Sequence, residues 1–287
     1  MVFLSLLAFL LLAASGLARD VPDNVRELYD SIRKKGKCSH KLATGFWSDD
    51  NGSNSFSYCG DHLDDYNIVY IQGTRGALAN MDVDCDGAQG GQADDGRCAS
   101  SNDTQYVSSF QDTVESYRQG IKDLNANIHP YIVFGNEGSK RGWATFDPRE
   151  HGIEPLSIMA VVCGDKLIYG VWGDTNGDDG PRPMVGEAAI SVATACFGSG
   201  VSGDNGYDDD DVLYIAFTGQ DAVPGSQGAN WSATNYEIFE KSIQDQGDTL
   251  IERIGSTGAR FAVPVGSLWR GSMIPLLVSL IFTTSLT

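Results

Sequence analysis

Residues Tyr169 to Phe197 read YGVWGDTNGDDGPRPMVGEAAISVATACF, and this run shows in miniature how the whole chain is built. Tyr169 to Trp172 are apolar and aromatic, the pattern of a buried strand. Gly173-Asp174 then turns the chain into a loop of carboxylates, glycines and prolines. Gly186-Glu187 opens an apolar stretch in which Ala189, Ile190, Ala193 and Phe197 fall on one side of a helix. Two carboxylates, Asp174 and Glu187, are thereby delivered from the edges of two rigid elements. Paired carboxylates in unlike surroundings are what acid/base cleavage of a sugar bond requires. The loop Asp174-Thr175-Asn176-Gly177-Asp178-Asp179-Gly180 also fits two plainer readings, a calcium turn or a simple reversal of the chain.

The strand-and-turn pattern continues on both sides. Leu156–Val162 and Lys166–Trp172 read as two strands joined by a hairpin turn at Gly164-Asp165. Asn67–Ile71, His129–Phe134 and Val212–Thr218 read as further strands. Helical spacing appears in three places. Val21 to Lys35 carries Val25, Leu28 and Ile32, with Asp23 or Asn24 as cap and Arg33, Lys34 and Lys35 at the C-terminal end of the dipole. Gly186 to Cys196 is the second helix. Asn235 to Ile254 is the third, with Ile238, Phe239, Ile243, Leu250, Ile251 and Ile254 on its apolar side. There is no internal repeat and no linker. The expected fold is mainly β (α+β): one strand-rich domain over residues 19–254, a six-stranded β-barrel with peripheral helices.

Of the 287 residues, 41% are hydrophobic, enough for a proper core. Residues 1–18 are almost wholly apolar, shorter than a membrane span, and end in Gly16, Leu17 and Ala18, as a signal peptidase requires. A signal peptide cleaved after Ala18 is expected, and with it a secreted protein. Cys38, Cys59, Cys85, Cys98, Cys163 and Cys196 then imply disulfides. Six cysteines allow 15 pairings; Cys85 with Cys98, across a glycine-rich loop, is the pair the spacing favours. Sequons at Asn51, Asn102 and Asn230 fit surface loops. Residues 255–287 end in the apolar, Ser/Thr-studded run Ile274–Leu286, which reads as a poorly ordered end or as an anchor signal. Short of such an anchor, no membrane association is expected, and a monomer is.

The net charge of -18 excludes nucleic acid as a partner and favours a polycation, or plain solubility. Carboxylates crowd three segments. Asp82, Asp84 and Asp86, with Gly87, open like a calcium loop, but Ala93 stands where a bidentate Glu belongs. They are weak metal candidates, and no cofactor is expected. The second segment is the Asp174 loop. The third runs Asp204 to Asp211, before a strand. Other catalytic devices are missing: there is no Gly-x-Ser-x-Gly, and His40, His62, His129 and His151 are not spaced as a metal pair. His129, at a strand start before Pro130, reads as structural. Paired carboxylates remain. The apolar helix after Glu187 would desolvate its carboxyl and suit a general acid, whereas a helix N-terminus favours the anion, so its role stays open. Asp174, in a wet turn, is suited to stay ionised and activate water. A separation near 5 Å would mean retention and roughly 6.5–9.5 Å inversion.

The segments YGVWGDTNG and GEAAISVATACFG, with MDVDCDG, HPYIVFGN and DDVLYIAFTG, resemble the fungal chitosanases of glycoside hydrolase family 75, from about Cys38 to Ile254. The resemblance implies a secreted endo-acting enzyme that hydrolyses β-1,4 bonds of chitosan with inversion. It implies that the essential Asp of the Trp-Gly-Asp turn is Asp174 and that the Glu of the following Gly-Glu is Glu187. Chitosan is cationic, so Asp178, Asp179 and Asp208 become candidate sites for its ammonium groups, and Trp172 and Tyr207 candidates for stacking on sugar faces. The alternatives are a hydrolase of a neutral β-glucan and a non-catalytic calcium-binding secreted protein.

Overall fold

A chain whose apolar runs are four to six residues long, with carboxylates and glycines between them, builds short strands that must be covered on both faces. The computed structural model describes residues 19–101 and 103–255. The expected leader over 1–18, the sequon at Asn102 and, Gly255 apart, the tail over 255–287 lie outside the described residues. The strands are β1 (Arg19–Asp20), β2 (Lys41–Phe46), β3 (Phe56–Cys59), β4 (Ile68–Gln72), β5 (Ala79–Asp84), β6 (Tyr131–Asn136), β7 (Ile158–Cys163), β8 (Lys166–Asn176), β9 (Glu187–Ala189) and β10 (Tyr207–Phe217). The helices are α1 (Asp23–Lys35), α2 (Gln111–Ser116), α3 (Ile190–Phe197) and α4 (Tyr236–Ile251).

The strands form one mixed sheet. Within it β8, β6, β9, β5, β10 and β7 pair in that order, and β7 pairs back to β8, so six strands close a ring. The pairs β5–β9 and β6–β8 are parallel and the other pairs of the ring antiparallel. Six is the number expected from the sequence. The architecture is a ring set in a larger sheet, since β1 extends it from β8, and β4, β3 and β2 extend it from β10. Every residue of β6 and β7 is buried, as are Leu167 to Asp174 of β8. That double-sided burial explains their unbroken apolar runs.

Helices cover the ring. α4 packs on β7 and β8, and α3 on β5, β8 and β9. α4 is capped by Asn235, whose side chain accepts from the Ile238 amide. It ends at Ile251, before the expected Ile254, and Ile238 is exposed rather than on the buried side. Gly247 lets α4 lie directly on the Tyr169 ring. α1 begins at Asp23, after Pro22, and buries Val25, Leu28, Tyr29 and Ile32.

Cys85 pairs with Cys98 as the spacing suggests, and Cys38–Cys59 and Cys163–Cys196 complete the set. The Gly164-Asp165 hairpin forms as expected, with Cys163 opposite Lys166. Five strands, β1, β2, β3, β5 and β9, and the short α2 were not expected. Three expectations near the carboxylates are corrected. β8 continues past Trp172 to Asn176, so Asp174 is on a strand and not in a turn. Glu187 begins β9, and the helix starts only at Ile190. Asp82 and Asp84 lie on β5, and Asp208 to Asp211 lie on β10.

Candidate active site

Four ring strands bring one residue each to a common row. Asp82 on β5 is level with Glu187 on β9, Glu187 with Val133 on β6, and Val133 with Asp174 on β8. Side chains level across a sheet leave it on the same face. All four line one cleft of about 820 Å³. One strand separates Asp174 from Glu187, so their backbones stand two strand spacings apart, on the order of 10 Å.

Two glycines set this row. β8 carries an extra residue against β6: Trp172 is level with Ile132 and Asp174 with Val133, which leaves Gly173 as a bulge. A Cβ on Gly173 would come within 2.5 Å of Tyr131 Cβ and 2.6 Å of Leu124 Cδ1, so only glycine fits there. The bulge puts Asp174 on the cleft face. On β9, Gly186 has φ +97°, and a Cβ there would meet Asn80 Oδ1 at 2.5 Å. Its carbonyl accepts from the Asp82 amide at 2.8 Å, which locks Glu187 beside Asp82.

Asp174 is 6% exposed. Its Oδ1 accepts from the Ser109 hydroxyl, from the Ser109 amide at 3.2 Å and from the Thr175 amide at 2.7 Å. Its Oδ2 is buried with no hydrogen-bond partner. Burial pushes its pKa up to about 6, against the pull of the Ser109 and Thr175 donors. Glu187 rises further, to about 8, through burial first and then the charges of Asp82, Asp174 and Asp86. Because Glu187 is on a strand, no helix dipole opposes that shift. Asp82 rises to about 6 and Asp86 to about 7, each mainly through burial, and Asp84, deeply buried, is raised well above the usual range. Near pH 7 the pair therefore sits unlike: Asp174 ionised, Glu187 protonated.

Carboxylate oxygens of Asp84, Asp86 and Asp174 lie within 4.8 Å of one another, close enough to share a proton or a cation. The metal candidates of the sequence are thus rearranged. Asp84 and Asp86 meet Asp174, while Asp82 is spent on the Asn80 amide at 3.1 Å. No calcium loop exists there, because Asp82 and Asp84 are strand residues.

Other expected site residues scatter. Asp179 and Asp208 line the cleft. Asp178 instead accepts from the backbone amides of Ser139 and Lys140 and holds that turn. Trp172 is buried, its ring edge-to-face with Phe110 at 4.8 Å and its Nε1 donating to the Asp174 carbonyl, so it offers no face to a sugar. Tyr207 stacks on Phe197 at 3.8 Å and is not among the cleft residues. His129 is structural, as expected: Nδ1 accepts from the Asn125 amide and Nε2 donates to the Trp231 carbonyl. Ser109, which holds Asp174, carries no local signal in the sequence, since it reaches the site from 65 residues away.

Residues 81–253 match the family model described as fungal chitosanase of glycosyl hydrolase group 75. The chain belongs to this family. As a group 75 member it is a glycoside hydrolase. It is 46% identical over 247 residues to an endo-chitosanase of Aspergillus oryzae, covering 84% of this chain and 94% of that protein. Endo-chitosanase B of the same species is 46% identical over 242 residues, and an endo-chitosanase of Aspergillus fumigatus 45% identical over 242, each with 84% and 94% coverage. The matched span contains every carboxylate of the group 75 chain's row.

Proposed function

We propose that the protein is a secreted endo-chitosanase that cuts β-1,4 bonds between glucosamine units with inversion, Glu187 acting as general acid and Asp174 as general base. Hydrolysis of chitosan rests on the family and on relatives matched over 84% of this chain at nearly half identity. The assignment of roles rests on one observation: the row of Asp82, Glu187, Val133 and Asp174 across four strands, with Glu187 holding a proton at a pH where Asp174 has lost its own.

In the proposed step, the Glu187 carboxyl gives its proton to the bridging oxygen as the bond from that oxygen to C1 breaks. Asp174 takes a proton from a water that attacks C1 from the opposite face. The new C1–OH has inverted configuration, Glu187 leaves as a carboxylate and Asp174 as a carboxylic acid. Inversion needs the two carboxyls far enough apart for that water, and strands β8 and β9, separated by β6, are consistent with it. Ser109 and Thr175 fix the base by donating to its Oδ1. Ten carboxylates among the described cleft residues suit a polycationic chain. Secretion is supported by the apolar leader over 1–18 and by three disulfides. The catalytic unit is taken to span residues 19–254 and to act as a monomer.

Glu187→Gln and Asp174→Asn each keep the side-chain shape and remove the proton chemistry. Each is expected to lower kcat on a soluble glucosamine oligomer by about 10²–10⁴-fold, with thermal stability retained. A folded variant within a few-fold of wild type would overturn the assignment. NMR of the first-formed product should show the α-anomer; the β-anomer would remove inversion.

A further inference from the structure

One residue of the cleft runs against its chemistry. Among the described residues that line it, Arg182 is the single cation beside ten carboxylates. Its position is fixed. Pro181 and Pro183 flank it, and Trp47 clamps the segment, donating its amide to the Pro183 carbonyl at 3.0 Å and accepting from the Val185 amide at 2.8 Å. The guanidinium lies over the Trp47 ring, 4.2 Å from its centroid. Yet Nη1 is buried without a hydrogen-bond partner. Arg182 itself is part-exposed at the cleft wall, so a small rotation of its guanidinium lets this unsatisfied donor meet an acceptor in the cleft.

The acceptor cannot be a glucosamine ammonium, which carries only donors and the same sign of charge. Like charges brought together in a cleft are disfavoured. An N-acetyl group at the same position has no charge and presents a carbonyl oxygen. We propose that Arg182 marks a subsite selective for N-acetylglucosamine, so that the cleft accepts glucosamine along its carboxylates and an acetylated unit at this one point. This rests on the chitosan reading above. A sugar hydroxyl could also accept from Nη1, but it would not discriminate between the two units, which makes the ideas separable.

The experiment compares wild type with Arg182→Met, which keeps an apolar stem against Trp47 and removes both charge and donors, and with Arg182→Lys, which keeps the charge and loses the planar fork. Initial rates are measured on fully deacetylated chitosan and on a partly acetylated one, and the units at the new chain ends are sequenced by mass spectrometry. Wild type should place N-acetylglucosamine at a fixed distance from the cut. In Arg182→Met that bias should vanish. The ratio of kcat/KM on the acetylated polymer to that on the deacetylated one should fall by roughly 10-fold, a loss typical of one discriminating contact, and mainly through KM. Arg182→Lys should fall between the two. An unchanged ratio and unchanged ends, or equal losses on both polymers, would overturn the proposal. If Arg182→Met fails to fold, Arg182→Lys decides: a bias equal to wild type overturns it. A wild-type protein that cleaves neither polymer would instead sink the chitosanase reading itself.

Discussion

At the scale of single residues, the proposed mechanism turns on the protonation states of Asp174 and Glu187. Below the raised pKa of Asp174, about 6, the base carries a proton and cannot take one from water. Above that of Glu187, about 8, the acid has none to give. The profile of kcat/KM on a glucosamine oligomer should therefore be a bell with limbs near these values, shared between the two groups because their charges interact. Glu187→Gln should remove the alkaline limb from whatever activity remains. A wild-type profile still rising at pH 9 would show that Glu187 is not the acid. Both residues of the proposed pair stand out in the sequence, because Trp-Gly-Asp and Gly-Glu are short and local. Ser109, and Asp84 as a neighbour of Asp174, do not, since each meets Asp174 across a long stretch of chain; Arg182 stands in the quoted run, but its packing on Trp47 does not show there. The stacking expected of Trp172 failed for a related reason: an aromatic at a strand end looks the same in sequence whether its ring faces core or cleft.

At the scale of elements, the bulge at Gly173 decides where Asp174 points. A strand alternates faces, so Trp172 and Asp174 would share a face in a regular β8. The extra residue breaks that rule and lets Trp172 stay in the core while Asp174 enters the cleft. Gly173→Ala forces a Cβ into Tyr131 and Leu124. It should cost about 1–3 kcal/mol of stability by overpacking. It should cost kcat more, up to roughly 100-fold, because about 1 Å of displacement at a catalytic group has that effect. Gly200→Ala meets nothing within 4 Å and serves as the silent control. Equal activity in the two variants would show that the bulge does not position the base. The same element explains what was misread in sequence. Carboxylate-rich segments carry low strand propensity and look like loops. Asp82, Asp84, Asp174 and Asp208 are nevertheless on strands, because each lies where a strand edges a wet cleft and ladder pairing outweighs propensity.

At the scale of the molecule, the ring concentrates like charges that a solvated chain would keep apart. Its closure was only partly legible: apolar runs marked four of the six ring strands, β6, β7, β8 and β10, but β9 has three residues and pairs with strands about 50 and 100 positions upstream, which no local pattern announces. The arrangement has a thermodynamic cost that depends on pH. Asp82, Asp84, Asp86, Asp174 and Glu187 all have pKa values raised in the folded state. The folded protein thus keeps protons that the unfolded chain has already released by about pH 5. As pH rises from 5 to 8 those protons must leave the folded state, so stability falls over that window. Asp61, Asp95, Asp147 and Asp178 are shifted the other way by their hydrogen bonds and ion pairs, and their contribution is lost only below the ordinary carboxylate range. The maximum should lie near pH 4–5, with Tm at pH 8 lower by roughly 5–10 °C, the change that a loss of a few kcal/mol gives a domain of this size. Asp84→Asn removes one of the most buried of these carboxylates and should flatten the slope. Calorimetry of both proteins from pH 4 to 8 is the measurement. A Tm that climbs between pH 5 and 8, or an Asp84→Asn curve parallel to wild type, would show that the cluster is already neutralised, by a bound cation rather than by protons.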